Sequence, residues 1–212
     1  MLSRSIRRVV LGTAFFLGII GVTMAAPAPY VPLHGNPDGT YRIDPQHTNV
    51  FFTIGHVGIA PFTGRFDAVS GTYTFDEQDP RRDRVDISIP AASINTNFAL
   101  RNQDLRGAAF FYVKKYPKIT FIGRKFVPTG KDTGRLYGEL SLRGVTRPVV
   151  FKVREIGAGE VGYLPKPWGG YLSGFVATTT IHRSEFGMDA YLPEGLSNVV
   201  RIKVEVEGVK QG

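Results

Sequence analysis

The 212-residue chain contains no cysteine and only four histidines, and several kinds of chemistry are excluded by what it lacks. Without cysteine there are no disulfides, no thiolate metal ligands, no thiol nucleophile and no lipid-modified N-terminal cysteine. The histidines show no HExxH spacing and no GxSxG motif occurs, so a zincin-type metal site and an α/β-hydrolase nucleophile have no support. The folded part must therefore be stabilised by its hydrophobic core.

The N-terminal residues have the pattern of a secretory signal peptide over 1–25. Three arginines within residues 1–8 precede an uncharged stretch over 9–26 that ends in small residues. Small residues at positions −3 and −1 favour cleavage after Ala25, and cleavage after Ala26 is the alternative. An uncleaved membrane anchor is the competing interpretation, since about 18 uncharged residues just span a bilayer.

The formal net charge is +8, and the three arginines of the N-terminal segment account for three of these charges. An exported protein rarely meets nucleic acid, so we expect no nucleic-acid partner. Attraction to anionic lipid headgroups and simple solubility are the two interpretations of the basic surface.

After a proline-rich stretch over 26–40, predicted to be a flexible lead-in, residues 41–210 have the pattern of one all-β domain. The clearest strand is 199–207, where four apolar residues alternate with charged ones. Residues 98–112 lack this alternation and predict one or two short helices. About eight antiparallel strands rich in Phe and Tyr indicate a barrel or a sandwich.

Two charged or glycine-rich segments are predicted to be turns. Residues 76–84, DEQDPRRDR, interleave acids with arginines and predict a solvated hairpin tip. Residues 157–162 match the GxGxxG spacing of a dinucleotide-binding loop, but prolines and glycines follow where that site requires a helix. A turn is the better interpretation.

The strand beginning near Val50 has large apolar groups on both faces, so each face must be covered. Val50, Phe52 and Ile54 lie on one side together with His56, and Phe51 lies on the other. An apolar ligand is one candidate for the cover.

A series of short motifs recurs in a characteristic order from Tyr41 to about Gly208. They are YRIDP at 41–45, HT at 47–48, VFF at 50–52, HVG at 56–58, GRF at 64–66, SINT at 93–96, LR at 105–106, FF at 110–111, YPKITF at 116–121, GEL at 138–140, GVTRPV at 144–149 and RSEFGM at 183–188. On these motifs the chain resembles the YceI-like family of exported lipid-binding proteins. It departs from the family pattern at Ala109 and Tyr112, where acidic residues are common.

The resemblance implies a lipocalin-like antiparallel β-barrel that encloses a long apolar lipid, such as a polyisoprenoid, an isoprenoid quinone or a fatty-acid derivative. It further implies a bacterial periplasmic location and a homodimer. Transient contact with the membrane surface is also expected. No catalytic residues and no required cofactor come with the family.

Two groups of candidate ligand-binding residues follow from alternation and position in the chain. Lining candidates are Phe52, Ile54, Phe66, Phe98, Leu105, Phe110, Phe121 and Phe175. Candidates for a polar end are His56, Asn97, Arg101, Asp104 and Arg106. Two alternatives stay open: an enzyme with His56 or Asp104 as the acid–base group, and a structural protein whose dense core binds nothing.

Overall fold

The computed structural model describes residues 32–212, so the expected signal peptide at 1–25 lies outside the described residues. The strands are β1 Gly39–Ile43, β2 Asn49–His56, β3 Ala60–Phe66, β4 Ser70–Phe75, β5 Arg84–Pro90, β6 Ile94–Asn95, β7 Lys118–Gly130, β8 Thr133–Leu142, β9 Val145–Val161, β10 Gly170–His182 and β11 Leu196–Lys210. The helix α1, Ala99–Arg106, lies between β6 and β7, and short 3₁₀ turns occur at Pro80–Arg82, Ala91–Ser93 and Arg183–Phe186. None of the described helices is long and apolar enough to cross a membrane.

The strands form a closed antiparallel barrel, which confirms the predicted fold class. Eight strands follow one another in the order β1-β4-β5-β7-β8-β9-β10-β11, and β1 pairs with β11 to close the ring. The closing register places Ile43 opposite Gly208. The extra strands β2, β3 and β6 extend the wall beyond this ring.

Strand β11 is shared between the ring and this extension. Along one edge it pairs with β10 from Val199 to Val209. Along the other edge its first part pairs with β2, from Leu196 to Glu205, and its last residues pair with β1. The β2–β3–β6 extension therefore continues the wall at the end of the barrel where α1 lies.

Alternation along paired strands determines which side chains face the interior. Ile202 is opposite Phe52 and Val204 is opposite Val50, and these side chains share the inner face. The outer face of β11 carries Lys203, as the sequence pattern predicts. The buried rings of Tyr41 and Tyr73 stack on each other, with 5.0 Å between their centroids.

The turn between β4 and β5 differs from the predicted solvated tip at one residue. The 3₁₀ turn Pro80–Arg82 directs Arg81 and Arg82 to solvent, but the chain then returns to the wall and Asp83 is buried. A polar sequence run thus contains a carboxylate on the inner face of the barrel.

The glycine-rich segment 157–161 is part of β9 and not a turn. The reason lies in residues 33–35, which run beside it: the Ala158 N–H donates to the Leu33 carbonyl at 3.0 Å, and the Gly35 N–H donates to the Ala158 carbonyl at 2.7 Å. A Cβ on Gly157 would lie 2.9 Å from the Leu33 carbonyl, so only glycine allows this approach. These residues of the expected flexible lead-in are hydrogen-bonded to the barrel.

Candidate functional site

A cavity of about 1010 Å³ runs through the interior of the barrel. Its lining includes His56 and Arg101 at the α1 end and Glu77 and Asp132 at the opposite end. Volumes of 300–1,000 Å³ are usual for ligand sites, so this cavity is at the upper limit of that range.

The wall of the cavity is predominantly apolar and is not filled by neighbouring side chains. Phe52 and Phe175 face inward, yet both remain partly exposed, whereas residues of a packed core would be covered. The same holds for Ala177 and Val204 at the middle of their strands. The interior is therefore a lumen and not a dense core.

Most of the predicted site residues line this lumen. They are Phe52, Ile54, His56, Phe66, Arg101, Asp104, Leu105, Phe110, Phe121 and Phe175. Phe66 and Phe121 are buried in its wall, whereas His56 and Asp104 lie at its exposed rim.

Three predicted residues lie outside the lumen, and each has a local reason. Asn97 adopts a left-handed φ of 57°, which turns the chain outward before α1 begins. Phe98 follows at the N-cap position and is 54 % exposed. Arg106 donates from Nε to the Ala92 carbonyl at 2.8 Å and from a terminal nitrogen to the Ile94 carbonyl at 3.2 Å, so it supports β6 from outside.

Arg101 is held at the rim of the lumen by α1. Its Nε donates to the Thr96 hydroxyl at 2.9 Å, and a terminal nitrogen donates to the Thr96 carbonyl at 2.7 Å. The guanidinium lies 4.2 Å from the centroid of the Phe62 ring. This cation–π contact places a positive charge beside an aromatic wall residue.

The loops at the α1 end contain strained backbone. Among residues 32–212, the non-glycine positions with left-handed φ are Val57, Asn97, Tyr112, Arg143 and Tyr191. Val57, at φ 44°, is the most unusual because a β-branched residue is disfavoured there. Its N–H donates to the Gly195 carbonyl at 2.8 Å, which joins the β2–β3 turn to the β10–β11 loop.

Apolar side chains project into solvent around the same opening. Ile59 is 84 % exposed, and Val57, Leu100 and Tyr191 are also exposed. Tyr191 stacks on Phe110, with ring centroids 6.1 Å apart, and both line the lumen. We call Val57, Ile59, Leu100 and Tyr191 the apolar rim.

Arg183 is a buried residue of the site that sequence reasoning missed. Its guanidinium donates to the carbonyls of Met188, Leu196 and Ser197 at 2.7, 3.0 and 2.9 Å. Burial lowers its pKa. In the sequence, residues 183–188 contribute only a family motif, and nothing in that pattern indicates that Arg183 organises the β10–β11 loop.

The opposite end of the lumen is lined by acidic residues that were also missed. They are Glu77, Asp83, Asp132 and Glu155. Burial raises the pKa of Asp83 and of Glu155. A signal for Asp83 was present, since it continues the inward alternation of Val85 and Ile87.

Outside the lumen, Asp44, His47 and Glu207 form a cluster of titratable groups near the β1–β2 turn. His47 Nδ1 lies 2.8 Å from Asp44 Oδ2 and 3.5 Å from Glu207 Oε1. The hydrogen bond to Asp44 raises the pKa of His47, and burial opposes this only in part. Burial also opposes the lowering of the Asp44 pKa, but hydrogen bonds from His47 and the Gln46 N–H outweigh it.

Together the fold and cavity define an eight-stranded antiparallel barrel with a long apolar lumen. The YceI-like domain model matches residues 41–208, and the chain belongs to this family. A UPF0312 protein of Pseudomonas aeruginosa is 35 % identical over 213 residues, covering 100 % of both chains.

Two solved structures are similar to the chain. The Campylobacter jejuni YceI protein has 26 % identity and a TM-score of 0.62, covering 74 % of this chain and 90 % of its own. A polyisoprenoid-binding domain from Saccharophagus degradans has 16 % identity and a TM-score of 0.60, covering 81 % and 98 %. At that identity the second likeness shows the fold alone.

Proposed function

We propose that this protein binds a long apolar lipid in its lumen and acts as a carrier or sequestering protein without transforming the lipid. The observation that carries the proposal is the 1010 Å³ lumen whose inward apolar side chains are left uncovered by protein. Burying a few hundred Å² of lipid chain there contributes roughly 5–10 kcal/mol before entropic costs. No reaction is needed for such a role, and no cofactor is required.

The proposed ligand is a polyisoprenoid, an isoprenoid quinone or a fatty-acid derivative. The length of the lumen, which extends from α1 to the β7–β8 turn, suits a slender chain better than a compact ligand. The polyisoprenoid-binding domain of Saccharophagus degradans offers a precedent on the same fold. The proposed location is the periplasm, reached through the signal peptide.

The apolar rim suits transient contact with an anionic bilayer. Ile59 and Tyr191 project beside the opening through which a lipid would pass. Exposed basic residues, Lys114 and Lys115, lie on the α1–β7 loop at the same end. Apolar side chains at an opening flanked by cations are typical of a protein that exchanges lipid with a membrane surface. The expected homodimer stays a prediction.

The test is to purify the full chain from its exported form without detergent and to extract it with organic solvent for mass spectrometry. We expect a long-chain lipid at up to one equivalent per chain, and no such lipid from a matched sample of the Ala177→Trp variant, whose lumen is obstructed. Protein that stays empty and fails to take up added polyprenol would contradict the proposal. Recovery of a chemically altered lipid after incubation would favour the enzyme alternative.

A further inference from the structure

Two stacked aromatic rings at the α1 end of the lumen belong to separate loops. Phe110 lies in the loop between α1 and β7, and Tyr191 lies in the loop between β10 and β11. Their ring planes differ by 26°, and both residues line the lumen. Three strands separate β7 from β11 in either direction around the eight-stranded ring, so the two loops continue into opposite walls. The stack therefore spans part of the opening at this end.

Phe110 is the fixed half of the pair. Its carbonyl accepts a hydrogen bond from Arg143 Nε at 2.6 Å, and a terminal nitrogen of the same guanidinium donates to the Ala108 carbonyl at 2.6 Å. The next residue, Phe111, packs edge-on against the buried ring of Phe66, with 5.6 Å between centroids. The segment that carries Phe110 is therefore tied to the β8–β9 turn and to the core.

Tyr191 is held through its backbone, whereas its side chain is exposed. Its carbonyl accepts the N–H groups of Gly195 and Leu196 at 2.9 and 3.0 Å, and these bonds support its left-handed φ of 61°. The residue is 69 % exposed. Exposed side chains change rotamer rapidly, within picoseconds to nanoseconds. The ring of Tyr191 can therefore leave the stack while the loop keeps its backbone conformation.

Other routes into the lumen are less favourable for an apolar chain. The wall is a closed series of hydrogen-bonded strands, and parting two of them would break several main-chain hydrogen bonds. The opposite end is lined by Glu77, Asp132 and Glu155, and carboxylates disfavour the passage of hydrocarbon. Separating the two rings at the α1 end breaks a single aromatic contact. This end offers the least resistance to entry.

We propose that Tyr191 is a gate of the lumen: its ring narrows the α1 end while it is stacked on Phe110, and a lipid enters or leaves when the ring rotates away. This inference rests on the proposed lipid-binding function and adds control of the exchange rate. Because the stacked state is favoured, the gate is open for only a fraction of the time. Entry and release depend on the same open fraction, so the gate sets both rates and not the affinity.

The test measures association and release of the long-chain fluorescent probe cis-parinarate by stopped-flow fluorescence on the full chain. Tyr191→Ala removes the ring of the gate. Tyr163→Ala is the matched control, because Tyr163 is 85 % exposed in the β9–β10 loop, whose residues 162–169 do not line the lumen.

We expect Tyr191→Ala to accelerate both association and release by about two- to tenfold, the factor that corresponds to the loss of one aromatic pair. The affinity should change by less than either rate. Tyr163→Ala should have the rates of the wild type.

A reversible replacement of the ring provides a second measurement on one folded protein. The natural chain has no cysteine, so Tyr191→Cys carries a single thiol. Benzyl methanethiosulfonate attaches an aromatic ring to this thiol, and dithiothreitol removes it again. The benzyl group should slow both rates relative to the unmodified variant, and its removal should restore the faster rates.

Unchanged rates in Tyr191→Ala, or rates in Tyr191→Cys that do not respond to the benzyl group, would overturn the gate and leave lipid binding intact. Faster release with unchanged association would also overturn it, because this pattern is that of an ordinary binding contact. If the wild type binds neither cis-parinarate nor N-phenyl-1-naphthylamine, the proposed function itself fails, and the gate with it.

Discussion

The Tyr73 hydroxyl and the Ser173 hydroxyl lie 2.6 Å apart in the interior of the barrel. They join β4 to β10, two strands that are not neighbours in the sheet. The Tyr73 hydroxyl also donates to the Ser173 carbonyl at 3.2 Å. This contact braces the two strands across the interior, beside the ring of Tyr41 that stacks on Tyr73.

Removing this brace should destabilise the barrel. Tyr73→Phe leaves the buried Ser173 hydroxyl without its partner, and we expect the free energy of unfolding to fall by about 1–3 kcal/mol. The matched control is Tyr41→Phe, because the buried Tyr41 hydroxyl has no hydrogen-bond partner within residues 32–212. Urea denaturation of both variants provides the measurement. If Tyr41→Phe lowers the free energy of unfolding as much as Tyr73→Phe or more, the contact between Tyr73 and Ser173 does not stabilise the barrel in this way.

The pair formed by His47 and Asp44 should make stability depend on pH. The pKa of His47 is raised, so its contribution is complete below about 6.5 and is lost as pH rises through the folded-state value. The pKa of Asp44 is lowered, so its contribution is complete above about 3.9 and is lost as pH falls through its folded-state value.

We therefore expect stability to decline by less than about 1 kcal/mol from pH 6 to pH 8.5, because His47 is partly exposed. Urea midpoints across this range measure the decline, and NMR titration of the His47 ring measures its pKa. His47→Gln should flatten this part of the profile. If the stability of the wild type and of His47→Gln depends on pH in the same way, the pair of His47 and Asp44 does not contribute to the pH dependence.

Blocking the lumen should abolish binding without unfolding the protein. Ala177 is at the middle of β10 and faces the lumen, so Ala177→Trp places an indole in the path of a lipid chain. We expect the affinity for a long-chain probe to fall at least tenfold. Thr178→Trp is the matched control, since the next residue of the strand is exposed on the outer face. Similar losses in both variants would indicate general damage and contradict an internal site.

The apolar rim should govern exchange with membranes. Ile59→Asn removes the most exposed aliphatic side chain beside the opening, and we expect partition onto vesicles containing 30 mol % phosphatidylglycerol to fall about tenfold. Val150→Asn makes a comparable change on the outer wall, where Val150 is 40 % exposed. Co-sedimentation measures both variants. Equal partition of the two would argue against contact through the rim.

Much of the barrel could be predicted because period-two alternation is a direct consequence of strand geometry. The pattern of Val200, Ile202 and Val204 identified both the strand and its inner face, and the pairing with β2 confirms the face. The barrel itself could not be separated from a sandwich by alternation, since closure depends on the distant pairing of Ile43 with Gly208. That distinction came from the family motifs.

The sequence-based predictions for the site are wrong where the local backbone conformation overrides the alternation of polar and apolar residues. Phe98 looked like a lining residue, but the left-handed conformation of Asn97 directs it to solvent. Asp83 looked solvated because arginines surround it in sequence, but the chain returns to the barrel wall after the 3₁₀ turn and Asp83 is buried. Such reversals depend on single φ angles, which a polarity pattern does not encode.

Strand β11 is hydrogen-bonded to β10, to β2 and to β1, so three strand pairings of the wall depend on one segment of 15 residues. Until it is in place the partly folded chain exposes unpaired strand edges, and nothing separates the future interior from solvent. Its pairing with β1 joins positions near opposite ends of the domain sequence, so we expect closure to be a late and slow step of folding. The affinity for lipid should thus appear abruptly at the end of refolding and not grow in proportion to β-structure.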